Sequence, residues 1–144
     1  MDNGANSASG VAVDQTCVQE FMSLKTKRTY KFLIFKVNDD GKEIVVDARG
    51  DRKGKWEQLT EQLPEHECRY AVWDHDFTNK EGRPMSKIFF ILWVPDTAKV
   101  RSKMQYASSK DNFRTMLDGI NYELQANAPD EIDYEVIIDR CKEA

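Results

Sequence analysis

KIFFILWV, residues 87–94, contains no polar residue after Lys87. Side chains alternate across a strand, so a run that is apolar at every position must bury both of its faces. Such a strand belongs in the middle of a sheet, and covering both sides of that sheet requires helices on each face. The parts lie to either side of it. Residues 30–37 (YKFLIFKV) are rich in aromatic and β-favouring types and predict a strand. Asn38-Asp39-Asp40-Gly41 is a hairpin turn signal, with residues 43–48 as the antiparallel partner. Residues 69–76 and 86–94 predict two more strands, joined by the polar turn TNKEGRP at 78–84, which projects into solvent.

Helices are predicted between these strands. Cys17, Val18, Phe21, Met22 and Lys25 recur at helical spacing behind an Asp14 N-cap, which gives a first helix ending near Thr26. Residues 49–55 (RGDRKGK) read as a charged loop before a short helix over 56–63. After Pro95 a long helix starts at or near Asp96. In it Val100, Met104, Ala107, Leu117, Ile120 and Leu124 keep rough register, with a bend at Ser108-Ser109. Pro129 breaks that pattern, and residues 133–138 suit either an edge strand or the start of a last helix. The alternation predicts a single α/β domain over residues 11–144, with a central mixed sheet flanked by helices on both faces, preceded by a flexible arm over residues 1–10.

At 144 residues, 40% apolar and 32% charged, the chain has room for one domain and one core. The apolar run 88–94 falls far short of the roughly 20 residues of a membrane-spanning helix, so a soluble protein is expected. The opening MDNGANSASG lacks the basic-then-apolar order of a secretion signal. Three widely separated cysteines, Cys17, Cys68 and Cys141, predict free thiols in a reducing compartment. His66-Glu67-Cys68 lacks the paired spacing with which short segments share a metal ion, and no metal or cofactor is expected.

A net charge of −4 argues against nucleic-acid binding, which rests on neutralising phosphates. The distribution is more telling than the total. Residues 83–114 carry seven basic and two acidic side chains, whereas the rest of the chain carries 14 basic against 23 acidic. Lys99, Arg101, Lys103 and Lys110 therefore form a basic face on an acidic body, which is either a solvated helix face or a docking surface. Phosphate-cradling and acyl-transfer signatures are absent. Asp74-His75-Asp76 places both carboxylates on one side of a strand and the imidazole on the other, which opposes a catalytic pair. An enzyme is the weaker class, and it would need a site assembled only in the fold.

The segments ECRYAVWDHDF, SKIFFILWVPDTAKVRSKM, YASSKDNF and LDGINYELQA, within residues 67–126, resemble the actin-depolymerising factor/cofilin family, as does ASGVAV at 8–13. The SGVAV arm and the ELQA ending are most similar to the plant branch. The resemblance implies the actin-depolymerising factor homology fold, a five- or six-stranded mixed sheet flanked by helices. It also implies a protein that binds G-actin and F-actin, prefers ADP-actin, severs filaments and promotes depolymerisation. The implied monomer-and-filament surface joins Ser9, Gly10 and Val11 of the arm to Arg101, Lys103, Met104, Ser108 and Lys110 of the long helix. Met104 carries two readings, and its helical spacing favours the core over the interface.

A filament-only surface is implied at Arg83, Lys87 and Arg140. There Met85 occupies a usually basic place, and Ile138 stands where plant relatives can carry lysine. That departure keeps open a weakly severing, monomer-sequestering or side-binding relative. Ser9, with Ser7 as competitor, matches the serine whose phosphorylation by a kinase, and release by a phosphatase, switches the family. A phosphate there adds about −1.5 to −2 charge facing an acidic partner. Lys87, Arg101, Lys103 and Lys110 form the implied phosphoinositide site at a membrane surface. A monomer in the cytoplasm, on the actin cytoskeleton, is expected. The run Lys25-Thr26-Lys27-Arg28 adds the nucleus as a second candidate, or simply marks a helix end that favours positive charge.

Overall fold

The computed structural model of the chain describes residues 10–142. Strand β5 (Pro84–Trp93) pairs antiparallel with β4 (Arg69–Thr78), in unbroken register from Arg69 opposite Trp93 to Thr78 opposite Pro84. Strand β2 (Tyr30–Val37) lies antiparallel to β4 and to β3 (Glu43–Asp51). Two parallel edges complete the sheet, β1 (Ala12–Val13) against β3 and β6 (Tyr122–Ala126) against β5. The sheet is therefore mixed and six-stranded, in the order β1-β3-β2-β4-β5-β6.

Both faces of β5 are buried, as its sequence requires. Phe90, Leu92 and Val94 join Phe35, Tyr70 and Val72 beneath α1 (Gln15–Met22) and α3 (Val100–Met116). Phe89, Ile91 and Trp93 join Ile34, Ala71 and Trp73 beneath α2 (Trp56–Thr60) and α4 (Tyr134–Cys141). Two cores share one sheet, and a fully buried side chain of this size contributes about 1.5–3 kcal/mol. The residues 133–138 resolve as helix, because Ile137 and Cys141 bury one stripe at helical spacing.

Asp14 caps α1 by accepting the Thr16 N–H. The helix then widens into a π turn over Ser23–Lys27 and stops at Arg28, which takes the left-handed conformation at φ 54°. That turn matters beyond α1, since it aims the Arg28 guanidinium at β4.

Four sequence expectations need correction. Strand β3 runs on to Asp51, through residues expected to be loop. Gly50 is the reason: it is buried, and a Cβ there would run into the Phe32 ring, so this glycine marks a close approach and not a turn. The helix after Pro95 starts at Val100, with residues 96–99 forming a turn, and it continues through Ser108 and Ser109 without interruption. Leu124 lies in β6, not in that helix. Helix α2 ends at Thr60, after which single-turn bonds from Gln62 N to Leu59 O and from Leu63 N to Thr60 O carry the chain to Pro64.

The candidate docking surface

Helix α3 is fixed to the sheet by its carboxyl-terminal two thirds. Tyr106, Ser109, Phe113 and Leu117 form the buried stripe. Phe113 meets Phe35 edge-on at 5.0 Å and Tyr70 at 5.1 Å. The Tyr70 hydroxyl donates to Tyr106 O at 2.6 Å, and the Tyr106 hydroxyl accepts the Val37 N–H at 2.8 Å. Burial pushes both phenols above their ordinary range, so they remain neutral donors and acceptors. Gln105 Nε2 donates to Gly41 O at 2.8 Å, which ties the hairpin turn to the same helix.

The other stripe faces outward. Val100 is 70% exposed and Met104 66%, with Ala107 also exposed. The reading that favoured Met104 for the core is therefore wrong. The inward stripe contains a serine and the outward one a methionine, which inverts what residue type alone suggests.

The amino end of α3 lacks the usual stabilisers. Its N-cap, Lys99, makes no side-chain cap, and no acidic residue stands in the first turn. Three cations, Lys99, Arg101 and Lys103, sit instead where the helix dipole is positive, an arrangement that costs the fold about 0.3–1 kcal/mol per charge. Arg101 is exposed and has no ion-pair partner among the described residues. Lys103 is held against Asp96 O at 2.6 Å. Such an end does little for folding and presents concentrated positive potential beside exposed Val100 and Met104.

Other expected members fall differently. Ser108 is exposed, its hydroxyl bonded to Gln105 O. Lys110 is taken up by Glu123 of β6 at 2.7 Å, and Arg114 meets the same carboxylate at 2.6 Å. Its ammonium is held above the ordinary range first by that hydrogen bond. No local pattern signals this pairing, which crosses from helix to strand. Gly10 is exposed, whereas Val11 is wholly buried and anchors the incoming segment, so it presents nothing to a partner. Ser9 and its competitor Ser7 lie outside the described residues, as does the expected arm apart from Gly10.

The second group lies across the sheet. Lys87 precedes Phe89 by two residues and so shares the α4 side. Its charge opposes the upward push that burial gives the Cys141 thiol. Arg140 stacks over Tyr122 at 5.1 Å, and Tyr122 in turn packs on Phe89 at 5.1 Å. Lys87 and Arg140 thereby share the α4 side of the sheet. Arg83 stands exposed at the β4–β5 turn, where Asn79 Oδ1 accepts the N–H groups of Glu81 and Arg83. The four residues expected to hold a phosphoinositide are not brought together: Lys87 is on the α4 side, and Lys110 is paired.

The hairpin carrying these charges is braced by a network that the sequence did not reveal. Asp74, 1% exposed, accepts from Arg52 at 2.8 Å and from the Ser86 hydroxyl. Asp76 takes both oxygens to Arg28 at 2.7 and 2.8 Å, and meets Arg52 at 2.9 Å and Lys31 at 3.3 Å. Burial raises the Asp76 pKa, yet the Arg28 hydrogen bond and the charges of Lys31, Arg52 and Arg28 prevail and hold it near 2. His75 points to the opposite face, where its Nδ1 accepts from Trp73 Nε1 at 3.1 Å and burial keeps it below the ordinary histidine value. The alternation that opposed a His-Asp pair is observed.

All three cysteines are buried free thiols. Cys17 is pushed up to about 12 by burial, then by Asp14 and Glu43, which leaves it a poor nucleophile. Among the described residues no group of three or more His, Cys, Asp or Glu could hold a metal ion, and no helix is long and apolar enough to cross a membrane.

A helix-flanked sheet that holds out one helix end as an exposed basic and apolar edge defines a protein-docking module. Residues 10–142 match the family model described as cofilin/tropomyosin-type actin-binding protein. The chain is 52% identical to actin-depolymerizing factor 3 of Arabidopsis thaliana, over 95% of its own length and 99% of that protein. It is 53% identical to actin-depolymerizing factor 2 of Petunia hybrida, over 95% and 96%. Among solved structures, the cofilin of Streptomyces griseoflavus superposes with a TM-score of 0.85 at 36% identity, covering 94% of this chain and 99% of that one. The chain belongs to the actin-depolymerising factor/cofilin family of actin-binding proteins.

Proposed function

We infer that the chain binds actin and promotes the depolymerisation of filaments, by binding energy and without a catalytic residue. The observation that carries this reading is the amino end of α3, where cations that oppose the helix dipole stand beside exposed Val100 and Met104. Lysine and arginine can lay their stems along an apolar groove and meet an acidic rim with their charged heads. Arg101, Lys103, Met104 and Ser108, together with Ser9 and Gly10 of the arm, form the surface for monomer and filament, with buried Val11 only anchoring that arm. Lys110 contributes less than its charge suggests, because Glu123 already holds it.

Lys87 and Arg140, with Arg83 at the hairpin turn, form the filament-only surface. Binding there shifts a filament between conformations only to the extent that it favours one of them, and severing follows from that difference, with ADP-actin the preferred state. Phosphorylation of Ser9 by a kinase places negative charge on the arm and weakens actin binding, and a phosphatase reverses it. Phosphoinositides compete for Arg101 and Lys103. The protein works in the cytoplasm on the actin cytoskeleton. A nuclear location rests on residues 25–28 alone, where Lys25 and Arg28 already engage Asp118 and Asp76.

A second reading, a weakly severing relative that binds filament sides or sequesters monomers, is favoured by the uncharged Met85 and Ile138. Time-resolved imaging of single filaments across protein concentrations separates the two. Breaks along decorated filaments support the first reading. Decoration or monomer capture without breaks supports the second, and no interaction with actin at all overturns both.

A further inference from the structure

The β4–β5 ribbon runs past the rest of its sheet. Strand β2 pairs with β4 only as far as Phe32 opposite Trp73, and β6 pairs with β5 only from Tyr122 opposite Phe89. Asn121 closes that edge, its Oδ1 accepting the Ile88 N–H at 2.7 Å and its own N–H donating to Ile88 O at 2.9 Å. From His75 opposite Lys87 to Thr78 opposite Pro84, the ribbon has no flanking strand. A two-stranded hairpin by itself is marginally stable, so side chains must set the direction in which this one projects.

Its two faces are held differently. On the α4 face, His75 meets Tyr134 edge-on at 5.7 Å, and Phe77 stacks on His75 at 5.7 Å. On the other face, Asp76 takes the Arg28 fork on both oxygens and also meets Arg52 and Lys31. Those cations come from three places: Arg28 ends the π turn after α1, Lys31 lies in β2, and Arg52 follows β3. Among the described residues, these are the outermost hydrogen bonds from the ribbon to the rest of the protein. A two-pronged arginine–carboxylate pair fixes orientation as well as adding energy, which ring contacts do less strictly.

We propose that Asp76 is a positioning residue for filament recognition: clamped by Arg28, Arg52 and Lys31, it aims the ribbon and so sets where Arg83 stands relative to Lys87 and Arg140. The inference rests on the filament-only surface assigned above. Arg83 sits at the ribbon's turn, whereas Arg140 belongs to α4, so the spacing between them depends on the ribbon's angle to the body. Lys87, directly opposite His75, lies on the α4 face. Asp76 projects from the other face, and it places the cations without sharing their surface. No residue of α3 takes part in the clamp, so the monomer surface does not depend on it.

The test compares the full chain with Asp76→Ala, which removes the shared acceptor, and with Arg28→Asn, which removes one cation but keeps a residue that tolerates the left-handed turn at φ 54°. Arg83→Ala with Lys87→Ala is the reference for loss of the filament-only surface. Each protein is titrated with labelled monomeric actin and co-sedimented with filaments, and amide hydrogen exchange is followed along the ribbon. Asp76→Ala is expected to weaken filament binding on the order of tenfold, as the reference does, with monomer affinity unchanged. Exchange should quicken over residues 77–85 and stay as in the parent along α3. Arg28→Asn should show a smaller loss in the same direction, since Arg52 and Lys31 remain, and Asp76→Glu should recover part of the binding. Filament binding by Asp76→Ala equal to the parent's, while the reference loses it, overturns the positioning role and leaves the filament-only surface standing. Equal loss of monomer and filament binding makes the effect a general one and also overturns the role. A reference that binds filaments as the parent does removes the surface itself, and this inference with it.

Discussion

Met104→Ala is expected to leave the stability of the fold intact and to weaken actin binding. The side chain is 66% exposed, so folding gains little from it. Truncation of a surface residue away from special features changes stability by about 0.5 kcal/mol or less. A methionine in the core behaves otherwise: its loss costs about 2–5 kcal/mol, a fall in Tm on the order of 10 °C for a chain of this size. Binding shows the reverse. Full burial of such a side chain is worth about 1.5–3 kcal/mol, and two thirds of that surface remains for a partner to cover, which leaves about 1–2 kcal/mol. This corresponds to a Kd about five to thirty times weaker. Thermal unfolding followed by circular dichroism, with co-sedimentation over a range of actin concentrations, measures both effects on one preparation. A large fall in Tm with unchanged actin affinity would refute the assignment of this stripe to the outside.

Three further outcomes follow from the sheet. Asp76 has a folded pKa near 2, below its ordinary 3.8, so its contribution is complete above about pH 4 and is lost as pH falls toward 2. With 43% of the side chain exposed, the effect is on the order of 1 kcal/mol after screening, and Asp76→Asn should flatten acid unfolding in that window. Asp74→Ala removes a buried partner of Arg52 and Ser86 and should cost about 3 kcal/mol by denaturant titration, far more than the loss of an exposed ion pair such as Lys142 with Asp139. Gly50→Ala forces a methyl group against Phe32 and should lower stability by about 1–3 kcal/mol, whereas a true loop glycine would tolerate the change.

The centre of this fold was legible because residues 88–94 have nowhere to put a polar face, and the structure buries both sides of them. Strand β6 was not, because Leu124 happens to keep helical register with residues upstream. What makes 122–126 a strand is its parallel pairing with β5, Phe89 opposite Tyr122, a contact that no local pattern encodes. The charge excess of residues 83–114 did mark the basic end of α3. It could not show that Glu123 returns from β6 to occupy Lys110, or that Arg28 and Arg52, distant in sequence, converge on Asp76. The two stripes of α3 were confused for a related reason: burial there follows the sheet beneath, which accepts Ser109 and turns Met104 outward.

The central claim, that this chain holds actin through the basic amino end of α3, is tested most directly by Arg101→Ala with Lys103→Ala in actin co-sedimentation and depolymerisation assays. Neither side chain is buried, so the variant should fold as the parent does. The expected result is a marked loss of binding to monomer and filament, with depolymerisation reduced in step. Unchanged co-sedimentation and unchanged depolymerisation would contradict it.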